Sequence, residues 1–159
     1  MSTKTREYLL GHEEFDWPGI LADWRWLLPR GKFSVLLMSR YGDLFLEFDD
    51  GSIHMLDISN SSLEKVAEDS QDFWQKINDV EIANNWLMIP LVDQLVEAGK
   101  VLEPGRCYSF IIPPLLGGEY NVENTVSLKV QEHFGVYASI HRQIKELPDG
   151  AQVRLRVKA

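Results

Sequence analysis

One cysteine, Cys107, stands among 159 residues, so no disulfide can close within the chain. No apolar run approaches the roughly 20 residues that a membrane helix needs. Residues 1–14 lack the basic start and apolar stretch of a secretion signal. These lacks set the expectation of a cytoplasmic protein that does not enter a membrane. Repeats, linkers and low-complexity stretches are also missing, so a single domain over 1–159 is expected.

Catalytic patterns are equally scarce. The four histidines are His12, His54, His133 and His141. A helical zinc motif needs two histidines about four apart with a carboxylate between, and His133 and His141 lie eight apart. His141 is expected at the surface or edge of its helix. There is no G-x-S-x-G nucleophile elbow. Gly117-Gly118 lacks the spacing of a dinucleotide or phosphate loop. Cys107 opens an apolar strand, where a buried, inert thiol is expected rather than a nucleophile. Asp49, Asp50 and Asp57 lack the alternating oxygen ligands and closing glutamate of a calcium loop, and a hairpin turn accounts for Asp50-Gly51. No catalytic residue, cofactor or metal is therefore expected.

What is present is an ordinary globular composition, 45% hydrophobic and 25% charged, with a net charge of -8. The charge is uneven. Asp43 to Glu81 holds eleven acidic and two basic residues, whereas His141 to Ala159 holds five basic and two acidic. An acidic middle argues against direct nucleic-acid binding, because phosphates demand Lys and Arg. It suits a basic protein partner, or simply a well-solvated surface.

The residue pattern predicts a first helix capped by Asp16, with Pro18 inside its start and Leu21, Trp24 and Leu28 on one stripe before Pro29 to Gly31 ends it. Three strands follow as an antiparallel meander over 33–58. Phe33 to Met38 reads as a strand buried on both faces, and Asp50-Gly51 turns the hairpin between Asp43–Asp49 and Ser52–Ile58. Ser61 or Ser62 is expected to cap a short helix through Ala67, and Ser70 another carrying Phe73, Trp74 and Ile77. Pro90 opens a helix with Leu91, Leu95 and Ala98 on one face and Gly99 as its stop. Strands are expected at Cys107–Ile112 and Thr125–Val130. The longest helix runs from about Gln131 to Leu147, its stripe being Val130, Phe134, Tyr137, Ile140, Ile144 and Leu147. Pro148-Asp149-Gly150 turns the chain into a last strand, with Val153, Leu155 and Val157 on one face. Blocks of strands and helices rather than strict alternation indicate an α+β fold, mainly antiparallel sheet with packed helices.

The segment Pro113-Pro114-Leu115-Leu116-Gly117-Gly118-Glu119-Tyr120 is the most distinctive. Its prolines end the preceding strand, and its glycines permit a tight reversal or a close backbone approach. It reads equally as a crossover positioning the last helix and as a binding element. Among the five tryptophans, Trp24 fits the core stripe. Trp26 falls off it, and either anchors a partner or packs on a neighbouring strand.

Gly42-Asp43-Leu44-Phe45, Asp50-Gly51-Ser52-Ile53-His54-Met55-Leu56-Asp57, Asn85-Trp86-Leu87-Met88-Ile89-Pro90-Leu91-Val92, Pro104-Gly105-Arg106-Cys107-Tyr108, Pro113 to Tyr120, and Ser139-Ile140-His141 with Ile144 to Gly150 are further segments of note. Together they resemble a bacterial family associated with type VI secretion immunity. The resemblance spans about 40–157. It implies a cytoplasmic, non-catalytic antagonist of a cognate secreted toxin, in characterised cases a DNase effector, acting by stoichiometric occlusion. Longer members of that family carry an N-terminal region related to a GAD-type domain, which residues 1–40 do not match. Asp49, Asp50, Glu119, Tyr120 and Trp26 are the candidate partner contacts, chosen for expected exposure. A rival reading is a small-molecule-binding or regulatory domain, with the Gly117-Gly118 bend closing a pocket near Trp86. An enzyme reading requires Cys107 and a histidine to lie close together and exposed. Nothing in the sequence specifies an oligomeric state.

Overall fold

The computed structural model describes residues 3–145 together with Leu147. The expected turn at Pro148-Asp149-Gly150 and the strand carrying Val153, Leu155 and Val157 lie outside the described residues. The fold is α+β. A five-stranded antiparallel meander runs in the order β1 (Leu9–Leu10), β2 (Phe33–Ser39), β3 (Leu44–Phe48), β4 (Ile53–Asp57) and β5 (Ser62–Ala67). A separate antiparallel pair joins β6 (Arg106–Phe110) to β7 (Thr125–Lys129). The helices are α1 (Thr3–Arg6), α2 (Trp17–Ile20), α3 (Ser70–Ile77), α4 (Val80–Trp86), α5 (Ile89–Glu97) and α6 (Val130–Ile144).

Strand alternation divides the core into two layers. Leu44, Leu46 and Leu56 turn to one face of the meander, against Leu21, Trp24, Phe134, Tyr137 and the rest of α6. Phe45 and Ile53 turn to the other, against Phe73 and Ile77 of α3 and Leu91, Val92 and Leu95 of α5. Tyr41, Tyr108 and Phe110 carry the second layer onto the β6–β7 pair, with the Tyr41 and Phe110 rings stacked at 4.8 Å.

The meander over 33–58 is as expected, with two refinements. Register shifts between Val35 and Leu37. This bulge lets the apolar run of β2 serve both layers, Val35 and Met38 on one side and Leu36 and Leu37 on the other. Yet Phe33, Val35, Leu36 and Leu37 are only half-buried. Strand β1 pairs with Met38 and Ser39, and among the described residues no other strand lies beside the rest of that edge.

Residues 62–67 correct the helical expectation: they form β5, paired with β4 from Asp57↔Ser62 to Ile53↔Ala67. The serines do not cap a helix. Instead Asp57 accepts hydrogen bonds from the backbone N–H and side-chain amide of Asn60, and Ser61 takes φ 56°. This Asx turn folds the chain straight back. The first expected helix is also shorter than its stripe suggested. Asp16 does cap α2, accepting from Gly19 N, but the chain tightens to a 3-10 turn over Ala22–Trp24. A 3-10 turn superposes residues three apart, so Leu21 and Trp24 still share the buried face.

Helix α3 is capped by Asp69 rather than Ser70. Helix α4, which the sequence reading did not anticipate, is capped by Asp79. Helix α5 buries Leu91, Val92 and Leu95 while Ala98 is exposed, and Gly99 at φ 83° ends it. Helix α6 stops at Ile144, leaving Leu147 exposed. No helix among the described residues is long and apolar enough to cross a membrane.

Candidate functional site

The second core layer is left open at one corner. There the start of β3, the end of β4, the turn after it, the α4–α5 junction and the loop following β6 meet around a cleft of about 350 Å³. Five segments of chain supply its wall, and each is held in place by its own local chemistry.

Asp43 opens β3 and is almost fully buried. Its backbone N–H donates to Ser39 Oγ, and one carboxylate oxygen accepts from Ile58 N at 3.0 Å. It thus ties the β2–β3 turn to the β4–β5 turn. Burial, and then the negative charge of Asp57, push its carboxyl well above the ordinary carboxylate range. Asp57 is locked by its bonds to Asn60. The Asn60 side-chain amide also donates to Tyr120 Oη at 3.2 Å, joining the turn to the loop after β6. Ser59 is buried; its Oγ meets no described partner at full hydrogen-bonding distance, although it acts on the Tyr137 hydroxyl. The α4–α5 junction adds Asn84, Asn85, Trp86 and Met88. Met88 takes φ 50° to reverse the chain before Pro90 starts α5. Trp86 stacks on Phe73 with ring centroids 5.7 Å apart, so its indole is fixed.

The Pro113–Tyr120 loop forms the outer lip. Pro113 accepts from Leu116 N and Gly118 N, and Gly117 takes φ 89°. A Cβ on Gly118 would lie 1.8 Å from the Ile112 carbonyl oxygen, so the close approach expected of the glycine pair is real. Asn124 staples the loop: its side chain accepts from Ile112 N and donates to the carbonyls of Ile112 and Glu119. The outcome is a braced arm on which Ile111, Ile112, Leu115 and Tyr120 are all more than half exposed. Exposed apolar side chains on a rigid support are the usual anatomy of a protein-docking element.

The five candidate contact residues do not form one surface. Tyr120 lines the cleft, and Glu119 precedes it on the arm without lining the cleft. Asp49 and Asp50 are exposed, but at the other end of the β3–β4 hairpin, where Asp50 accepts from Ser52 N and Oγ. Those two bonds pull the Asp50 carboxyl below its usual range. Trp26 is 53% exposed, with Lys145 Nζ 5.9 Å from its ring centroid. Sequence reasoning missed Asp43, Ser59 and Asn60 as site residues. A signal existed in Gly42-Asp43 and in Asn85-Trp86, which were quoted for the family resemblance without a role.

The histidines are placed differently from expectation. His141 is buried rather than at an edge, with Nε2 2.9 Å from the Ile58 carbonyl oxygen. It lies seven residues after Phe134 and so continues the buried stripe of α6. His133 is wholly buried, with Nδ1 2.9 Å from Ser109 Oγ. Gly42 separates it from Cys107: a Cβ there would be 2.8 Å from the imidazole and 3.3 Å from the thiol sulfur. The two reactive groups are therefore near one another but enclosed. Burial holds the His133 imidazole down to about 3 and pushes the Cys107 thiol up. Neither a thiolate nor an imidazolium is available at neutral pH, which removes the basis for a Cys–His nucleophile. Among the described residues no group of three His, Cys, Asp or Glu could hold a metal ion.

Residues 67–141 match the family model described as T6SS immunity protein Tdi1, C-terminal. Over those residues the chain is similar to this family. The match takes in α3, α4, α5, the β6–β7 pair, the braced arm and most of α6. It covers just under half of the chain, and Asp43, Asp57, Ser59 and Asn60 precede it. No curated protein matches the sequence. Among solved structures, the crystal structure of Atu4351 from Agrobacterium tumefaciens is similar, with a TM-score of 0.57 and 16% sequence identity. The likeness covers 82% of this chain and 66% of that one, and it is a likeness of fold.

Proposed function

We propose that this protein is an immunity protein that binds a cognate secreted antibacterial toxin in the cytoplasm and neutralises it by stoichiometric occlusion, without turnover. The observation that carries this reading is the family match, which spans the braced arm with Ile111, Ile112, Leu115 and Tyr120 facing solvent. The acidic stretch from Asp43 to Glu81 complements a basic surface, so a DNase is the toxin class that fits best. Occlusion needs no chemistry from the inhibitor, in keeping with the enclosure of Cys107 and His133.

The test is co-purification of the two proteins at physiological salt, followed by an assay of the toxin. A stable complex with the toxin silenced supports the proposal. Separate elution with an active toxin refutes it. One observation favours the rival reading of a small-ligand domain, namely the cleft beside Trp86 with its convergent carboxylates and amides. In that case the toxin elutes alone and a small cation binds instead.

A further inference from the structure

We propose that the cleft between the β3–β4 strand ends and the α4–α5 junction is a receptor for a single arginine side chain presented by the partner protein. This rests on the immunity reading for its source of arginine, and on the cleft itself for its chemistry.

The lining offers acceptors and no cation. One oxygen of Asp43 takes the Ile58 N–H, and no described residue donates to the other. Asn60 spends its amide N–H groups on Asp57 and Tyr120, leaving its own carbonyl oxygen free. Ser59 is 97% buried; its Oγ meets no described partner at full hydrogen-bonding distance, although it acts on the Tyr137 hydroxyl. Among the described residues no lysine, arginine or histidine lines the cleft. Two carboxyl groups share it, and burial beside Asp57 disfavours the charge on Asp43 unless a cation offsets it.

The shape narrows the class of cation. The described residues provide no set of three metal-binding side chains, which argues against a bare metal ion. A guanidinium is planar, carries five donors in a fixed fork, and lies against aromatic rings. The cleft supplies both needs, with carboxylate and amide oxygens on one side and Trp86, Phe110 and Tyr120 on the other. Its volume of about 350 Å³ is at the low end for a ligand site and suits one long side chain. Tyr120 belongs to both the cleft lip and the exposed arm, so a partner seated on the arm stands over the opening.

Two probes test this on the full chain: acetyl-arginine amide, and the cognate toxin domain. Acetyl-arginine amide is expected to shift the NMR signals of the Trp86 indole and the Asn60, Asn84 and Asn85 side-chain amides, saturating in the millimolar range. The citrulline counterpart, isosteric but uncharged, is expected to leave them in place. Asp43→Asn keeps the acceptor for Ile58 N and removes the charge. It is expected to abolish the arginine shifts and to weaken toxin binding about 30-fold or more, without lowering the thermal midpoint of the free protein. Ser59→Ala is expected to weaken toxin binding about 3- to 10-fold. Equal shifts from arginine and citrulline overturn the proposal. So does unchanged toxin affinity in both variants, which would leave the immunity reading standing. If no toxin complex forms while arginine amide still binds and citrulline does not, the partner reading fails and the cleft takes a free cation.

Discussion

The buried polar residues set the pH response of this protein. His133 is held neutral because its enclosure penalises the charged ring, down to about 3, and His141 is shifted in the same direction for the same first cause. The unfolded chain takes up a proton on each near pH 6.5, whereas the folded chain resists. Stability is therefore full above pH 6.5, falls as pH drops below it, and levels off only near pH 3 for His133. The linkage for His133 amounts to roughly 5 kcal/mol at most. Urea midpoints at pH 7.5 and 4.5 should show the fall, and the His133 ring signals should stay in the neutral position at pH 4.5. Asp43 acts with the opposite sign. Its carboxyl is raised, so its ionised form strains the fold at neutral pH and the strain eases on acidification. Asp43→Asn should accordingly raise the urea midpoint at pH 7, with the gain shrinking toward pH 4. A lower midpoint at pH 7 would mean that the ionised carboxylate is itself a structural brace. Little of this was legible in the sequence. His141 was expected at the surface or edge of its helix once the zinc spacing was found missing. The Ile58 carbonyl that satisfies it is 83 residues away.

At the scale of elements, the braced arm is the feature that sequence reasoning came closest to describing. Two prolines and a glycine pair predicted a strand stop and a close approach, and both are present. What could not be read was the staple, because Asn124 is an ordinary polar residue until the loop folds over it. Asn124→Ala removes three hydrogen bonds from a half-exposed loop and should cost about 1–3 kcal/mol of stability. Hydrogen exchange at Ile112 N should speed up in step. Leu115→Asp, by contrast, changes a side chain that is 51% exposed and should leave the thermal midpoint within about 2 °C of the parent. If the arm docks the toxin, the same change should weaken binding on the order of 100-fold. The misread of residues 62–67 has a related cause. Serines before an apolar pattern serve as helix caps or as turn formers, and the choice fell to Asp57 and Asn60, which close the turn and put β5 on the meander.

Taken whole, the molecule shows why fold class was easier to read than the site. Alternation in β3 and β4 and the stripe of α6 are local signals, and each one pointed to the layers now seen. The cleft is not local: its walls come from five segments between Asp43 and Tyr120, and no one of them looks like a site alone. The acidic middle likewise proved to be mixed in role, with Asp43 buried, Asp50 spent on a hairpin turn, and Asp69 and Asp79 capping α3 and α4. Only part of that charge is free to meet a partner. The central claim is occlusion without turnover, and it is tested most directly by titrating a fixed amount of toxin with this protein and following the toxin's activity. The account predicts a linear fall to zero that ends at one molecule per toxin. Activity lost well below that ratio, or a toxin still active in excess of this protein, would contradict it.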